Sequence, residues 1–142
     1  MKLPRRRVCL LHGVEYGGCA MRARRPVCLA VTTRVRCGYV DVLHVSGEVD
    51  ARTAPRLGGA LDASLARGTR VLVIDLTDVA FCDSAGLATL VGARKRLPAG
   101  GGIRLVGCGR QILMMLGVTG LGALLPAYAS LEEALAAGPR PH

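Results

Sequence analysis

Tryptophan is absent from this 142-residue chain, Phe81 is its one phenylalanine, and aromatic residues make up only 3% of it. A core must therefore come from Leu, Val, Ile and Ala. No aromatic side chains alternate with the arginines, which removes the stacking platforms used to hold single-stranded nucleic acid. No C-x-x-C pair occurs among the six cysteines, and the spacing of Cys9, Cys19, Cys28 and Cys37 matches no familiar zinc pattern, so no metal site is expected. A phosphate-cradling G-x-x-x-x-G-K-[ST] loop is missing, as is a G-x-S-x-G nucleophile elbow. Histidine is scarce too: His12 and His142 lie near the ends, and His44 falls in an apparent strand, where a partnered or surface-facing role is expected rather than a catalytic base. No cofactor and no enzymatic activity are expected.

What is present suits one globular domain, with 51% hydrophobic residues and 19 glycines. The net charge of +9 is unevenly spread. Residues 1–40 hold nine basic residues against the single acid Glu15, so eight of the nine net charges lie there. The basicity belongs to the N-terminal segment and says little about the domain's partners. Residues 1–27 lack a sustained period and read as a flexible basic extension, residues 28–138 as the domain, and 139–142 as a short tail. The apolar piece after the first arginines, Val8 to Leu11, is too short for a secretory leader, and reduced thiols in a cytoplasmic protein are expected. Residues 112–129 carry no charge over 18 positions, the lower limit for a spanning helix. Gly117, Gly120, Gly122 and Pro126 interrupt them, which predicts a short helix, a turn and a short strand instead.

Along the domain, "VCLAVTTRV" and "GYVDVLHVSG" are rich in β-branched residues and predict a hairpin turning at Cys37-Gly38. Thr53 is a plausible N-cap for a helix with Pro55 in its first turn, a Leu57-Leu61-Leu65 stripe and a stop at Gly68. "VLVIDL" is a continuous apolar run, the mark of a central strand covered on both faces. A helix follows from Ser84, with Leu87, Leu90 and Val91 inward and Arg94, Lys95 and Arg96 in its last turn, where cations suit the dipole. "IRLV", "RQILMMLGV", "LLPAY" and the capping box of "SLEEALAAG" complete the order ββαβαβαβα. Helices between strands predict parallel crossovers, hence an α/β domain with a four- to five-stranded mixed sheet and about four helices.

At Asp83-Ser84-Ala85-Gly86 an apolar strand opens into a helix. A nucleophilic serine needs a base and oxyanion donors, and the motif supplies neither. A cap is expected of Ser84 or Asp83, worth about 1 kcal/mol. Capping alone leaves unexplained a serine at an exposed corner, with Gly86 keeping its surroundings low. A phosphoryl group there adds roughly two negative charges.

"VIDLTDVAFCDSAGLATL", with "VSGEVDARTAPRL" before it and "IRLVGCGRQILMMLGVTGLGALLPAYASLEEAL" after it, resembles the STAS domain of the anti-sigma factor antagonists, or anti-anti-sigma factors, over about residues 29–137. The resemblance implies a binding module without catalysis. Its unphosphorylated form would hold an anti-sigma factor, a histidine-kinase-like serine kinase, and so free a sigma factor. Phosphorylation at Ser84 would end that binding until a serine phosphatase restores it. Asp83, Ser84, Ala85 and Gly86 match the motif, and Asp75 the aspartate ending the strand. Gly47, Glu48 and Asp50 match a loop that adjoins the phosphoacceptor and helps form the partner surface. Cys82 departs from the larger aliphatic residue usual there and reads as small core packing. Neither direct nucleic-acid binding nor membrane insertion is implied. The other setting for such a domain is as a regulatory unit of an anion transporter or a stress-sensing complex.

Overall fold

The computed structural model describes residues 14–16 and 29–137. Its strands are β1 (Val14–Tyr16), β2 (Leu29–Cys37), β3 (Val40–Val49), β4 (Val71–Cys82), β5 (Gly102–Val106) and β6 (Ala127–Tyr128). Its α-helices are α1 (Ala54–Ala66), α2 (Ser84–Lys95), α3 (Arg110–Thr119) and α4 (Leu131–Ala136), with a short 3-10 turn at Leu121–Ala123. From β2 onward the order is the expected ββαβαβαβα. The added strand β1 pairs antiparallel with β2 and falls inside the segment read from sequence as a flexible extension. Three residues are too few to show a period of two, so nothing local announced it. The rest of that segment, residue 138 and the tail 139–142 lie outside the described residues.

The six strands lie in the order β1-β2-β3-β4-β5-β6. The first three pair antiparallel, and β3, β4, β5 and β6 run parallel. Each parallel crossover therefore advances to the next strand in the same direction. Right-handed connections that always advance one way put every crossover helix on one face. The main core agrees, joining Leu57 and Leu61 of α1, Leu87 and Leu90 of α2, and Ile112 and Leu116 of α3 to Leu43, Val45, Leu72, Ile74, Leu76, Ile103 and Leu105 of the sheet. On the opposite face α4 seats Ala134 over Val42, Val73 and Val106. That explains the unbroken apolar run of β4: Leu72, Ile74 and Leu76 serve one core, and Val71 and Val73 the other. Each fully buried Leu or Ile contributes about 1.5–3 kcal/mol. Among the described residues no helix is long and apolar enough to cross a membrane, and the uncharged stretch at 112–129 divides into α3, the 3-10 turn and β6.

One charged cluster is built into the packed interior. Asp41 at the start of β3 is 1% exposed. Its Oδ2 accepts from Ser64 Oγ at 2.7 Å and from Arg67 Nη2 at 2.6 Å, which ties the end of α1 to the sheet. Arg67 keeps its side chain 29% exposed, so its cation is only partly desolvated. Replacing Asp41 by alanine removes the shared acceptor of Arg67 and Ser64 and leaves them the 3.1 Å bond from Arg67 Nη2 to Ser64 Oγ. The expected loss is roughly 2–3 kcal/mol, below that of a fully buried pair. Urea unfolding checks it as a lower midpoint at unchanged slope; a loss under about 0.5 kcal/mol, typical of a surface change, would contradict this role.

Candidate functional site

The corner at Ser84 is shaped by an overhang of β4. Strand β5 accompanies β4 only from Val71 to Asp75, while β3 follows it to Val49 opposite Cys82. Pairing with β3 is irregular between His44 and Ser46 and again between Gly47 and Glu48. Gly47 takes a φ of 112°, a conformation that β-carbon-bearing residues avoid, and lets β3 bulge there. Asp75 marks the point where β5 departs: its Oδ1 accepts from the Thr77 N–H at 3.0 Å and from Thr77 Oγ1 at 2.6 Å. It organises the chain locally, as expected of a turn aspartate. Asp78, farther along, accepts through Oδ2 from His44 Nε2 at 2.7 Å. His44, the sole histidine among the described residues, is thereby engaged by Asp78 and not by Ser84.

Beyond Asp78 the paired ends of β3 and β4 reach the start of α2. The Asp83 N–H donates to the Val49 carbonyl at 3.0 Å, so the β3–α1 loop and the β4–α2 corner are held side by side. This brings Gly47, Glu48 and Asp50 to the same end of the sheet as Asp83, Ser84, Ala85 and Gly86. Glu48 and Ser84 are exposed, whereas Gly47, Asp50, Asp83 and Ala85 are half-buried.

Asp83 is the N-cap. Its Oδ1 accepts from the Ala85 N–H at 2.9 Å and from the Gly86 N–H at 3.3 Å. Ser84 becomes the first helical residue, and its hydroxyl is left out of the cap. Sequence propensity allows either residue to cap; the structure assigns the task to Asp83 and leaves Ser84 available. Thr53 does sit at the N-cap position of α1, but its hydroxyl turns away from the helix. It donates to the Glu48 carbonyl at 2.7 Å and accepts from the Asp50 N–H at 2.9 Å, closing the loop. Asp50 accepts from Arg52 Nη2 at 3.0 Å and from the Arg52 and Thr53 N–H groups at 2.9 and 3.2 Å. The Arg52 guanidinium, helped by these backbone donors, holds its carboxyl below the usual carboxylate range.

Gly86 is expected to keep the surroundings of Ser84 low, and its own place is inward. It is buried, and a β-carbon there would lie 2.5 Å from Val49 Cγ1 and 2.7 Å from Cys82 Sγ. Glycine is required because the first turn of α2 presses on the paired ends of β3 and β4. Cys82 fills the space beneath as a small apolar residue, 2% exposed. Burial, with the neighbouring Asp83 and Cys108 adding to it, pushes its thiol up to about 12, and burial pushes Cys108 up to about 11.

Sequence reasoning missed Gln111, in the first turn of α3. Where β4 has outrun β5, the Cys82 peptide would face no strand on that side. Gln111 Oε1 accepts from the Cys82 N–H at 3.1 Å, and Gln111 Nε2 donates to the Cys82 carbonyl at 2.7 Å. One side-chain amide thus bonds both backbone groups of the residue before the Asp83 cap.

Residues 31–134 match the STAS domain family. The chain belongs to it. An anti-sigma-B factor antagonist of Listeria monocytogenes is 36% identical over 88 residues, covering 61% of this chain and 76% of that one. The anti-sigma-B factor antagonist of Staphylococcus aureus is 33% identical over 105 residues, covering 73% of this chain and 96% of its own. The crystal structure of an anti-sigma factor antagonist from Mycobacterium paratuberculosis superposes with a TM-score of 0.66 at 38% identity, covering 74% of this chain and 91% of that one. The STAS assignment joins the chain to proteins with antagonist names, and the overhanging β4 carries its motif serine to the surface.

Two predictions test the corner. Gly86→Ala forces α2 away from Val49 and Cys82 and should cost about 1–3 kcal/mol, as overpacking does, measured by thermal or urea unfolding. A stability equal to wild type would show that the close approach is not needed. The buried thiols give a pH dependence. Their folded values stand above the ordinary thiol value of about 8.5, so the unfolded chain releases protons first as pH rises. Stability should therefore be intact below about pH 8.5 and fall as pH rises through about 11 to 12. Cys82→Ala should flatten the alkaline limb of the stability curve.

Proposed function

We propose that this STAS domain is an anti-sigma factor antagonist whose docking surface is the β3–α1 loop together with the β4–α2 corner, and that phosphorylation of Ser84 gates it. The observation that carries the reading is the division of labour at the helix start: Asp83 caps α2, and the exposed Ser84 is left free. The partner is an anti-sigma factor with serine kinase activity. In the transfer, Ser84 Oγ bonds to the γ-phosphorus of ATP as the bond to the β,γ-bridging oxygen breaks. ADP leaves, and the hydroxyl proton passes to a base on the kinase. A serine phosphatase reverses the change by hydrolysis.

The electrostatics account for the direction of the switch. A phosphoserine carries about −1.5 to −2 charges. At the first position of α2 it meets the positive end of the helix dipole, which favours it by about 0.3–1 kcal/mol, so the domain itself tolerates the group. A partner already pressed against the corner must accommodate an anion beside Asp83 and Glu48. Left unpaired in an interface, that charge costs several kcal/mol, and each 1.4 kcal/mol is tenfold in affinity.

Binding of wild type, Ser84→Ala and Ser84→Asp to the cognate anti-sigma kinase, by calorimetry with and without ATP, tests the proposal. Wild type and Ser84→Ala should bind alike. Ser84→Asp should bind about a hundredfold more weakly, and ATP should release wild type alone. Equal binding by all three variants, with no phosphate on wild type, would overturn the switch.

A further inference from the structure

We propose that Gln111 is a positioning residue for Ser84: by bonding both peptide groups of Cys82 it holds the end of β4 still and sets where the serine hydroxyl is presented. The inference rests on the phosphoacceptor reading of Ser84 and assigns to α3 a part in that site.

The overhang of β4 has β3 on one side, where Cys82 lies opposite Val49, and nothing of β5 on the other, since their pairing stops at Asp75 and Val106. A strand with one open edge can flex about its remaining partner, and its unpaired backbone groups need donors and acceptors. The Gln111 amide supplies one of each, in the arrangement a neighbouring strand's peptide would offer. Its Nε2 also lies 3.1 Å from Met115 Sδ one turn along α3, which helps fix the side chain's direction. Gln111 is half-buried, and the neighbouring Ile112 and Leu116 anchor α3 in the core. The clamp is therefore tied to a rigid element. Cys82 is followed directly by Asp83 and Ser84, and the Asp83 N–H is itself committed to Val49. With both sides of Cys82 held, the serine hydroxyl keeps a narrow range of directions. A phosphoryl acceptor must meet the γ-phosphorus in line, and a misplacement of about 1 Å can lower such a rate about a hundredfold.

The test uses the full chain. Gln111→Met keeps length and apolar contact but removes both bonds. Gln111→Glu keeps the acceptor for the Cys82 N–H, yet turns a carboxylate toward the Cys82 carbonyl when ionised and can donate to it when protonated. Met114→Ala, an exposed site on α3, is the control. Amide hydrogen exchange and the chemical shifts of Cys82 to Ala85 are followed by NMR in each folded variant. Steady-state phosphorylation by the anti-sigma kinase that modifies wild type is measured with labelled ATP.

In Gln111→Met the Cys82 amide should exchange at least about tenfold faster, since an opening worth one lost hydrogen bond raises exchange by about that factor. The saturated phosphorylation rate should fall about ten- to a hundredfold while KM moves less than about twofold. In Gln111→Glu the Ser84 shift should titrate toward its wild-type value as pH falls, which a loss of packing alone would not produce. Wild-type exchange and unchanged phosphorylation in Gln111→Met would overturn the positioning role even where Ser84 is modified normally. If wild type accepts no phosphate, the function proposed for Ser84 fails, and the positioning role for phosphoryl transfer fails with it; the exchange data then show separately whether the clamp exists.

Discussion

Between Leu76 and Cys82, β4 continues past the end of its pairing with β5 with β3 as its strand partner, and the first turn of α2 closes down on the paired tips. This contact permits no atom between helix and strand at Gly86, which is why a residue without a β-carbon stands there. From it follow the burial of Cys82, the bond from Asp83 to Val49 and the juxtaposition of two loops that lie some thirty residues apart in sequence. Were α2 to ride farther out, Asp83 could still cap the helix. It could not also bridge to β3, and the β3–α1 loop would lose its fixed neighbour.

Much of this architecture is legible in the residues, for reasons of burial. The doubly covered β4 needs apolar residues on both faces, so "VLVIDL" shows no alternation. The crossover helices need one apolar stripe each, and Leu57-Leu61 and Leu87-Leu90 supply it. What escapes local reading is whatever depends on contacts distant in sequence. Asp83 and Ser84 have similar capping propensities, and only the extended backbone of Asp83 decides between them. Gly86 lies four residues before the buried Leu90 and seven before Ala93 on the same helical face. Its inward direction is readable from that spacing, but the close approach of Val49 and Cys82 that requires a glycine is not. Gln111 gives no signal of its own, since its role depends on where β4 outruns β5, which is a property of the assembled sheet. Thr53 shows a related limit: its position at the helix start is predictable, but the competition between the helix and the Glu48–Asp50 loop for its hydroxyl is not.

The site's charges bear on the proposed switch in the same way. Glu48, Asp50 and Asp83 crowd one end of the domain, yet two of them are already occupied. Asp50 is paired with Arg52, and Asp83 is bonded to two helix N–H groups. A partner approaching the unmodified corner therefore meets far less uncompensated negative charge than the count of carboxylates suggests. A phosphoryl group at Ser84, with its roughly two negative charges, would change this balance by more than any single acid already present.

A switch of this kind works best when the domain is indifferent to the modification and the partner is not. Indifference is what the geometry supports: the hydroxyl lies outside the cap, the helix dipole favours an anion at its first residue, and the core beneath is sealed by Gly86, Cys82 and Val49. The same stiffness then sharpens the response of the interface. A yielding corner could turn the new charge toward water and keep its partner, whereas a corner held by β3, by the Asp83 cap and by Gln111 has little freedom to do so. Rigidity in the overhang would thus serve both halves of the cycle, presenting one hydroxyl for transfer and then leaving the added charge no easy way out of the contact.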